Sequence, residues 1–290
     1  MIYPKNIIEF VQSDPALSER FSRIASITAL NTTTTSLPPQ DDFAFEEYML
    51  AEGYLRSRAI RKYLHFIAST YSIFNEIFQY FPKENQNSTH KDDVSAIGTA
   101  PFELIYHAMY LYCLDSWGVQ GDVIECGTYK GFSASCLSWV CQYLGRRLIV
   151  ADSFEGLPEN TTDPYYKKGD FCGQIDEVRA NIEDFGKIEQ VDFMKGFYNT
   201  SLQGFDRSLC MIWMDVDLYE STMDILHNLL PCLSANGVVI SHELFAERDF
   251  ADEQLKDTIG PSKAMYAFFT EQDITYRAMP LENGSGLVVP

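Results

Sequence analysis

The chain has 290 residues, 46% of them hydrophobic, and a formal net charge of −19. That length allows one large or two modest domains, and the composition is that of an ordinary globular protein. So acidic a surface, with no local basic patch, repels phosphate backbones and anionic lipid, and no apolar stretch approaches the ~20 residues of a membrane span, so neither nucleic acid nor membrane is an expected partner.

The same charge means that an anionic substrate would need a metal or a local cation to bind. The first residues, MIYPKNIIEFVQSDP, lack a basic region followed by an apolar core, so no signal peptide is expected. Seven cysteines without tight spacing suggest free thiols in a reducing compartment, and a cytoplasmic location. Four Asn-x-Ser/Thr sequons, at Asn31, Asn87, Asn160 and Asn199, are then expected to be chance.

Residues 1–30 read as irregular helix, and Asn31 to Pro39 as a breaker. From Asp41 to Phe81 the pattern is helical and aromatic, with Leu55, Ala59, Tyr63, Phe66 and Ile67 on one face. Such helices pack as a cap or a dimer interface. This predicts a helical N-terminal extension over 1–100 that serves as lid or in homo-oligomer formation. Pro82 to Thr99 reads as a linker.

After Pro101 the texture changes. Phe102 to Trp117 predicts a helix. Short apolar runs then alternate with helical spacing. The runs are Asp122–Cys126, Arg147–Ala151, Ile188–Met194, Leu209–Met214 and Gly237–Ser241. The helical stretches are Phe132–Leu144, Gln174–Phe185 and Tyr219–Leu233. This alternation predicts an α/β domain over 101–290 with a doubly wound, mostly parallel sheet. Ile274–Met279 and Gly286–Val289, joined by a turn containing Asn283-Gly284, predict a C-terminal antiparallel hairpin.

The first strand runs into Glu125-Cys126-Gly127-Thr128-Tyr129-Lys130-Gly131-Phe132-Ser133. Gly127 and Gly131 let backbone approach a ligand, and the following helix N-terminus offers free N–H groups. Glu125 could accept from a ligand ammonium or hydroxyl. A plain turn between strand and helix is the alternative. The dinucleotide fingerprint lacks one of its three glycines, which makes a nicotinamide dehydrogenase the weakest enzyme reading. The second strand ends in Asp152-Ser153, about 20 residues on, where an acidic residue can hold ribose hydroxyls. Loop and acid together favour a nucleoside-containing cofactor.

The fourth apolar run ends in Asp215-Val216-Asp217, immediately before a helix pattern. Both acids then stand at the carboxyl end of a buried strand, where open parallel sheets bind ligands. Two acids so close repel unless one is protonated, paired or on a metal. An N-cap role for Asp217 at the helix beginning near Tyr219 is the structural alternative.

Four segments, ECGTYKG, ADSFEGLP, KGFYNTSL and DVDLYEST, come in this order over roughly residues 100–290. They resemble the macrocin O-methyltransferase (TylF-type) family of S-adenosylmethionine-dependent enzymes acting on sugar hydroxyls. The resemblance implies a class I methyltransferase fold with a seven-stranded sheet. It implies that Glu125, Gly127 and the turn through Thr128, Tyr129, Gly131 and Ser133 hold the methionine part of the cofactor. Asp152 and Ser153 would hold the ribose, Gly196 and Phe197 would lie near the adenine, and Phe154 to Pro158 would form the rim. Asp215 would border the cofactor and bind a divalent metal, usually magnesium, and Asp217 would be the general base.

Where the family has a pair of aspartates after the fifth strand, this chain has His242-Glu243. Both types bind metal, so Asp215, His242 and Glu243 are the expected ligand set. Imidazole moves the preference from magnesium toward manganese or another transition ion. Alternatively His242 points into the core or pairs with Asp215, leaving Glu243 alone as ligand. The loop Asp163 to Gly173 could close over the substrate through Tyr165, Tyr166, Lys167 and Lys168, or be a solvated loop. Cys126 and Cys136 read as packing residues. The expected activity is O-methyl transfer to a sugar or related polar natural product. The competing readings are a metal-independent methyltransferase acting on an amine or another nucleophile, and a non-catalytic binding domain.

Overall fold

A computed structural model describes residues 58–82, 97–159, 165–247, 250–251, 259–281 and 285–290. The expectations for 1–57, most of the predicted linker, Asp163 and the tip of the C-terminal turn lie outside the described residues. The chain divides into two compact units, Met1–Asn75 and Glu76–Pro290. Among the described residues, only helix α1 (Arg58–Tyr80) reaches into the first. No helix among them is long and apolar enough to cross a membrane.

The second unit is built on seven strands: β1 (Asp122–Cys126), β2 (Leu148–Asp152), β3 (Val191–Lys195), β4 (Leu209–Met214), β5 (Leu233–Ser241), β6 (Arg277–Pro280) and β7 (Gly286–Val289). Their order is β3-β2-β1-β4-β5-β7-β6. The first five neighbours pair in parallel, whereas β7 pairs antiparallel with both β5 and β6. This is the doubly wound, mostly parallel sheet with a C-terminal antiparallel hairpin that the pattern predicts. The strands β2 and β4 are buried at every residue, as their unbroken apolar runs require. The edge strand β3 is mostly half-buried, and its sequence alternates accordingly.

Helices α2 (Pro101–Ser116), α3 (Phe132–Leu144), α4 (Ile175–Phe185), α5 (Tyr198–Ser201), α6 (Tyr219–Leu229) and α7 (Gly260–Glu271) complete the unit. Proline opens α2, and the Glu103 carboxylate accepts the Ala100 N–H at 2.6 Å. Gly145, left-handed, closes α3 by donating its N–H to the Cys141 carbonyl. Phe81 packs against Phe132 and Phe185, with ring centroids 5.4 and 5.3 Å away.

Three predicted elements differ. Ile188–Gln190 is a 3₁₀ turn, so β3 begins at Val191. The strand β5 starts four residues early, because Leu233 pairs with Leu209 before an irregularity restores register at Val238. The strand β6 begins at Arg277, since Gln272 and Ile274 still donate to the last carbonyls of α7. Helix α7 has no counterpart among the predicted elements.

Parallel register does the decisive work. Cys126 stands beside both Ala151 and Met214, and Met214 beside Ser241. The next residues of these strands, Gly127, Asp152, Asp215 and His242, therefore share one edge of the sheet. Backbone bonds continue across it, from Gly127 N–H to the Ala151 carbonyl (3.1 Å), Asp215 N–H to Cys126 (2.9 Å) and His242 N–H to Met214 (2.8 Å).

Candidate active site

A cavity of about 590 Å³ opens at that edge. It sits over the β1/β4 boundary, where the strand order reverses. Gly127 is the residue that allows it. Its φ is +84°, and a Cβ there would lie 2.0 Å from the Asp215 carbonyl oxygen. Only glycine lets the β1 and β4 loops pass at this distance.

Of the residues expected to hold a cofactor, Gly127, Thr128, Tyr129, Ser133, Asp152, Ser153, Phe197 and Asp215 line the cavity. Glu125, Gly131 and Gly196 are not among the lining residues. Asp152 is fixed from below: its carboxylate accepts the Thr128 N–H at 2.8 Å and the Phe154 N–H at 2.7 Å. Burial raises its pKa and these bonds oppose the rise. Its remaining lone pairs are the hydrogen-bond capacity a ribose diol needs. Glu125 is fully buried, and one of its oxygens accepts from the Ser133 hydroxyl. The other oxygen and the buried Thr128 hydroxyl have no partner at ordinary hydrogen-bond geometry, although Thr128 is near enough to oppose the rise of the Glu125 pKa. Buried polar groups without partners are uncommon, and Thr128, which lines the cavity, can offer its hydroxyl to a ligand there. The cradle fits S-adenosylmethionine.

Asp215, Asp217, His242 and Glu243, which follow β4 and β5, also line the cavity. The N-cap of α6 is Leu218, with no side-chain cap bond, so Asp217 does not serve as the cap. His242 Nδ1 lies 3.3 Å from Asp215 Oδ1. Asp215 Oδ2 accepts the Thr99 hydroxyl at 3.3 Å. The Asp215 charge raises His242 to about 10. Burial works to raise Asp215, but His242, Thr99 and His107 outweigh it and hold that carboxyl below its ordinary value. Burial, then the Asp217 charge, pushes Glu243 up to about 9. Its Oε1 is 3.5 Å from the Tyr166 hydroxyl, and its buried Oε2 has no partner. Burial and the nearby Asp217 and Glu243 charges raise Tyr166 as well.

No three His, Cys, Asp or Glu side chains among the described residues are grouped so as to hold a metal ion. Asp215 and His242 turn to each other, and Glu243 turns to Tyr166. The side chains fit an ion pair at this place and not a three-donor cation site.

Seven carboxylates line the cavity, from Asp152, Glu159, Asp215, Asp217, Glu220, Asp224 and Glu243. Among the described lining residues, His242 is the one basic side chain. Tyr165 and Tyr166 line it as predicted, but Lys167 and Lys168 do not. Lys168 is exposed and comes within 4.0 Å of the exposed carboxylate of Glu159, itself a lining residue. Cys126 and Cys136 are fully buried and free, and burial raises both thiols, as packing residues require. The sequence reading missed Gly98 and Thr99, inside a predicted linker, and Glu220, Ser221 and Asp224 on the first turns of α6. The helical spacing of 220, 221 and 224 behind Asp217 was the available signal.

The profile of the macrocin-O-methyltransferase (TylF) family matches residues 93–255, more than half of the chain. The chain belongs to this family. It is 35% identical over 172 residues to the 8-demethyl-8-(2,3-dimethoxy-alpha-L-rhamnosyl)-tetracenomycin-C 4'-O-methyltransferase of Streptomyces olivaceus, covering 53% of this chain and 64% of that one. It is 31% identical over 150 residues to the mycinamicin III 3''-O-methyltransferase of Micromonospora griseorubida, covering 44% and 58%. The matches thus span less than two thirds of these curated relatives. Among solved structures, the O-methyltransferase NovP superposes with a TM-score of 0.62 at 20% identity, over 78% of this chain and 98% of NovP. That likeness shows the class I methyltransferase fold.

Proposed function

We infer that this family member is an S-adenosylmethionine-dependent O-methyltransferase acting on a hydroxyl of a sugar-bearing or related polar natural product. The observation that carries the reading is the shared strand edge. It sets the Asp152 cradle and the Asp217 carboxylate on the wall of one cavity. The family's sugar-hydroxyl relatives supply the acceptor class.

When bound, the cofactor supplies a methyl group already activated on a sulfonium, so the C–S bond breaks as the acceptor oxygen forms the new C–O bond. The chain's own work is to orient the two molecules and to take a proton. Asp152, Thr128 and the β1 turn hold the cofactor. Asp217, on the turn leaving β4, accepts the proton of the acceptor hydroxyl. The buried Tyr166 and the exposed Tyr165 flank the cavity. Asp215 is not a proton acceptor in this reading, because His242 already neutralises it.

Asp217→Asn tests the assignment. Transfer of labelled methyl from S-adenosylmethionine to a panel of deoxysugar glycosides is expected to fall by ~10²–10⁴. Affinity for S-adenosylhomocysteine, measured by calorimetry, is expected to stay within about threefold, since Asp217 does not belong to the cradle. Undiminished transfer in this variant refutes Asp217 as the base, and a wild-type chain that binds no S-adenosylhomocysteine refutes the methyltransferase reading.

A further inference from the structure

The geometry points to His242 as the resident cation of this site, paired through Nδ1 with Asp215 and donating from Nε2 to the acceptor oxygen, so that methyl transfer needs no divalent metal. The inference rests on the methyl-transfer reading above. An oxygen attacking a sulfonium must shed a proton among several carboxylates, and a positive group is needed to offset that charge. Among the described lining residues, only His242 can supply it.

The ring is well placed for this. The backbone N–H of His242 is held by the Met214 carbonyl at 2.8 Å, in line with the sheet. Trp213 packs edge-on to the ring at 6.3 Å between centroids, and Asp215 fixes Nδ1 at 3.3 Å. Nε2 has no partner among the described residues, and the side chain is 22% exposed on the cavity side. A cation entering between Asp215 and His242 would have to break this pair. It would also need Glu243 to leave Tyr166.

Calorimetric titration of Mn²⁺ and Mg²⁺ into the EDTA-treated full chain, saturated with S-adenosylhomocysteine, decides the matter. Zinc is avoided because the free cysteines would take it. No saturable binding is expected up to about 1 mM of either ion, the range of the weakest oxygen sites. His242→Asp replaces the ring with an oxygen donor and is expected to gain one Mn²⁺ site, at least about tenfold tighter than any wild-type binding. His242→Asn removes the charge without adding a carboxylate. It is expected to gain no site and to lose transfer by about 100-fold at unchanged S-adenosylhomocysteine affinity.

Stoichiometric Mn²⁺ binding by the wild-type chain, lost in Asp215→Asn, overturns the inference whether or not His242→Asp folds. So does transfer that EDTA abolishes and Mn²⁺ or Mg²⁺ restores. Either result leaves the methyltransferase reading intact, because cofactor-product binding is measured separately.

Discussion

Replacing Glu125 by glutamine removes a titratable group from the buried end of β1 while keeping its shape. In the folded chain, burial pushes this carboxyl up to about 8 from an ordinary 4.5, against the Ser133 hydrogen bond and with help from the Asp215 and Asp152 charges. Between these two values the folded chain keeps a proton that the unfolded chain has released. The stability this group contributes is therefore complete below 4.5 and is lost as the pH rises through 8. At ~1.4 kcal/mol per pK unit, the loss across the window is on the order of 5 kcal/mol. A glutamine still accepts from Ser133, but it buries an unmatched N–H at a cost of ~1–3 kcal/mol that does not vary with pH.

The assay is urea unfolding at several pH values under reducing conditions. All three tryptophans, Trp117, Trp139 and Trp213, lie in the second unit, so their fluorescence reports on it alone. Wild type is expected to lead Glu125→Gln at about pH 5 and to lose that lead, or fall behind, by about pH 8. His107 works in the opposite direction: burial lowers it to about 4 from 6.5, so it favours the folded chain as the pH rises through that window. Both proteins share His107, and it cancels in their difference. Parallel stability curves would mean that Glu125 is already ionised in the fold and would refute the reasoning.

Two further substitutions probe the same edge. In Gly127→Ala the new Cβ meets the Asp215 carbonyl oxygen at 2.0 Å with φ at +84°. The left-handed backbone costs ~1–2 kcal/mol and the overpacking ~1–3 kcal/mol, so the melting temperature should fall by roughly 5–15 °C and S-adenosylhomocysteine should bind more weakly. An unchanged melt and affinity would show that the β1 and β4 loops are not held at this distance. Asp217→Gly frees a residue at φ +59° and removes a charge facing Glu243. Its melting temperature is expected to equal or exceed that of wild type while methyl transfer is lost, and a drop of more than about 4 °C would mark Asp217 as a structural residue.

The parts of the fold that came through in the sequence are those set by local pattern. Runs such as Leu148–Asp152 and Leu209–Met214 are apolar at every step because both faces of the sheet are covered. Their ends are legible for the same reason, and the acids at 152, 215 and 217 mark them. What stayed hidden depends on register or on distant chain. Thr99 reaches Asp215 across 116 positions, from a stretch whose composition reads as linker. The pairing of Asp215 with His242 stood as one of two alternatives in the sequence, and Met214 lying beside Ser241 is what brings the two together. The early start of β5 needs the Leu209–Leu233 pair and the irregularity after it. At Lys167 and Lys168 the sequence left a substrate contact and a solvated loop both open, and the two residues are exposed, as the second alternative has it.

The backbone adds a separate reason to place function at this edge. Tyr129, Phe154, Asp217 and Glu243 all have positive φ, from 49° to 59°, and each follows one of the four strands β1, β2, β4 and β5. A left-handed non-glycine residue costs ~1–2 kcal/mol. Four at one sheet edge represent stability that a chain needing only to fold could recover with glycines or an ordinary cap. At Asp217 the comparison is direct. An N-cap role would let the carboxylate satisfy helix N–H groups in an extended conformation, yet Leu218 holds that position and Asp217 sits strained beside it, lining the cavity. At Glu243 the same conformation brings a carboxyl within reach of the Asp217 charge, an unfavourable contact that burial strengthens. Strain and like-charge proximity converge on the same two residues, both in reach of the Tyr166 hydroxyl, and this supports the proposed proton transfer at this edge over a purely structural role.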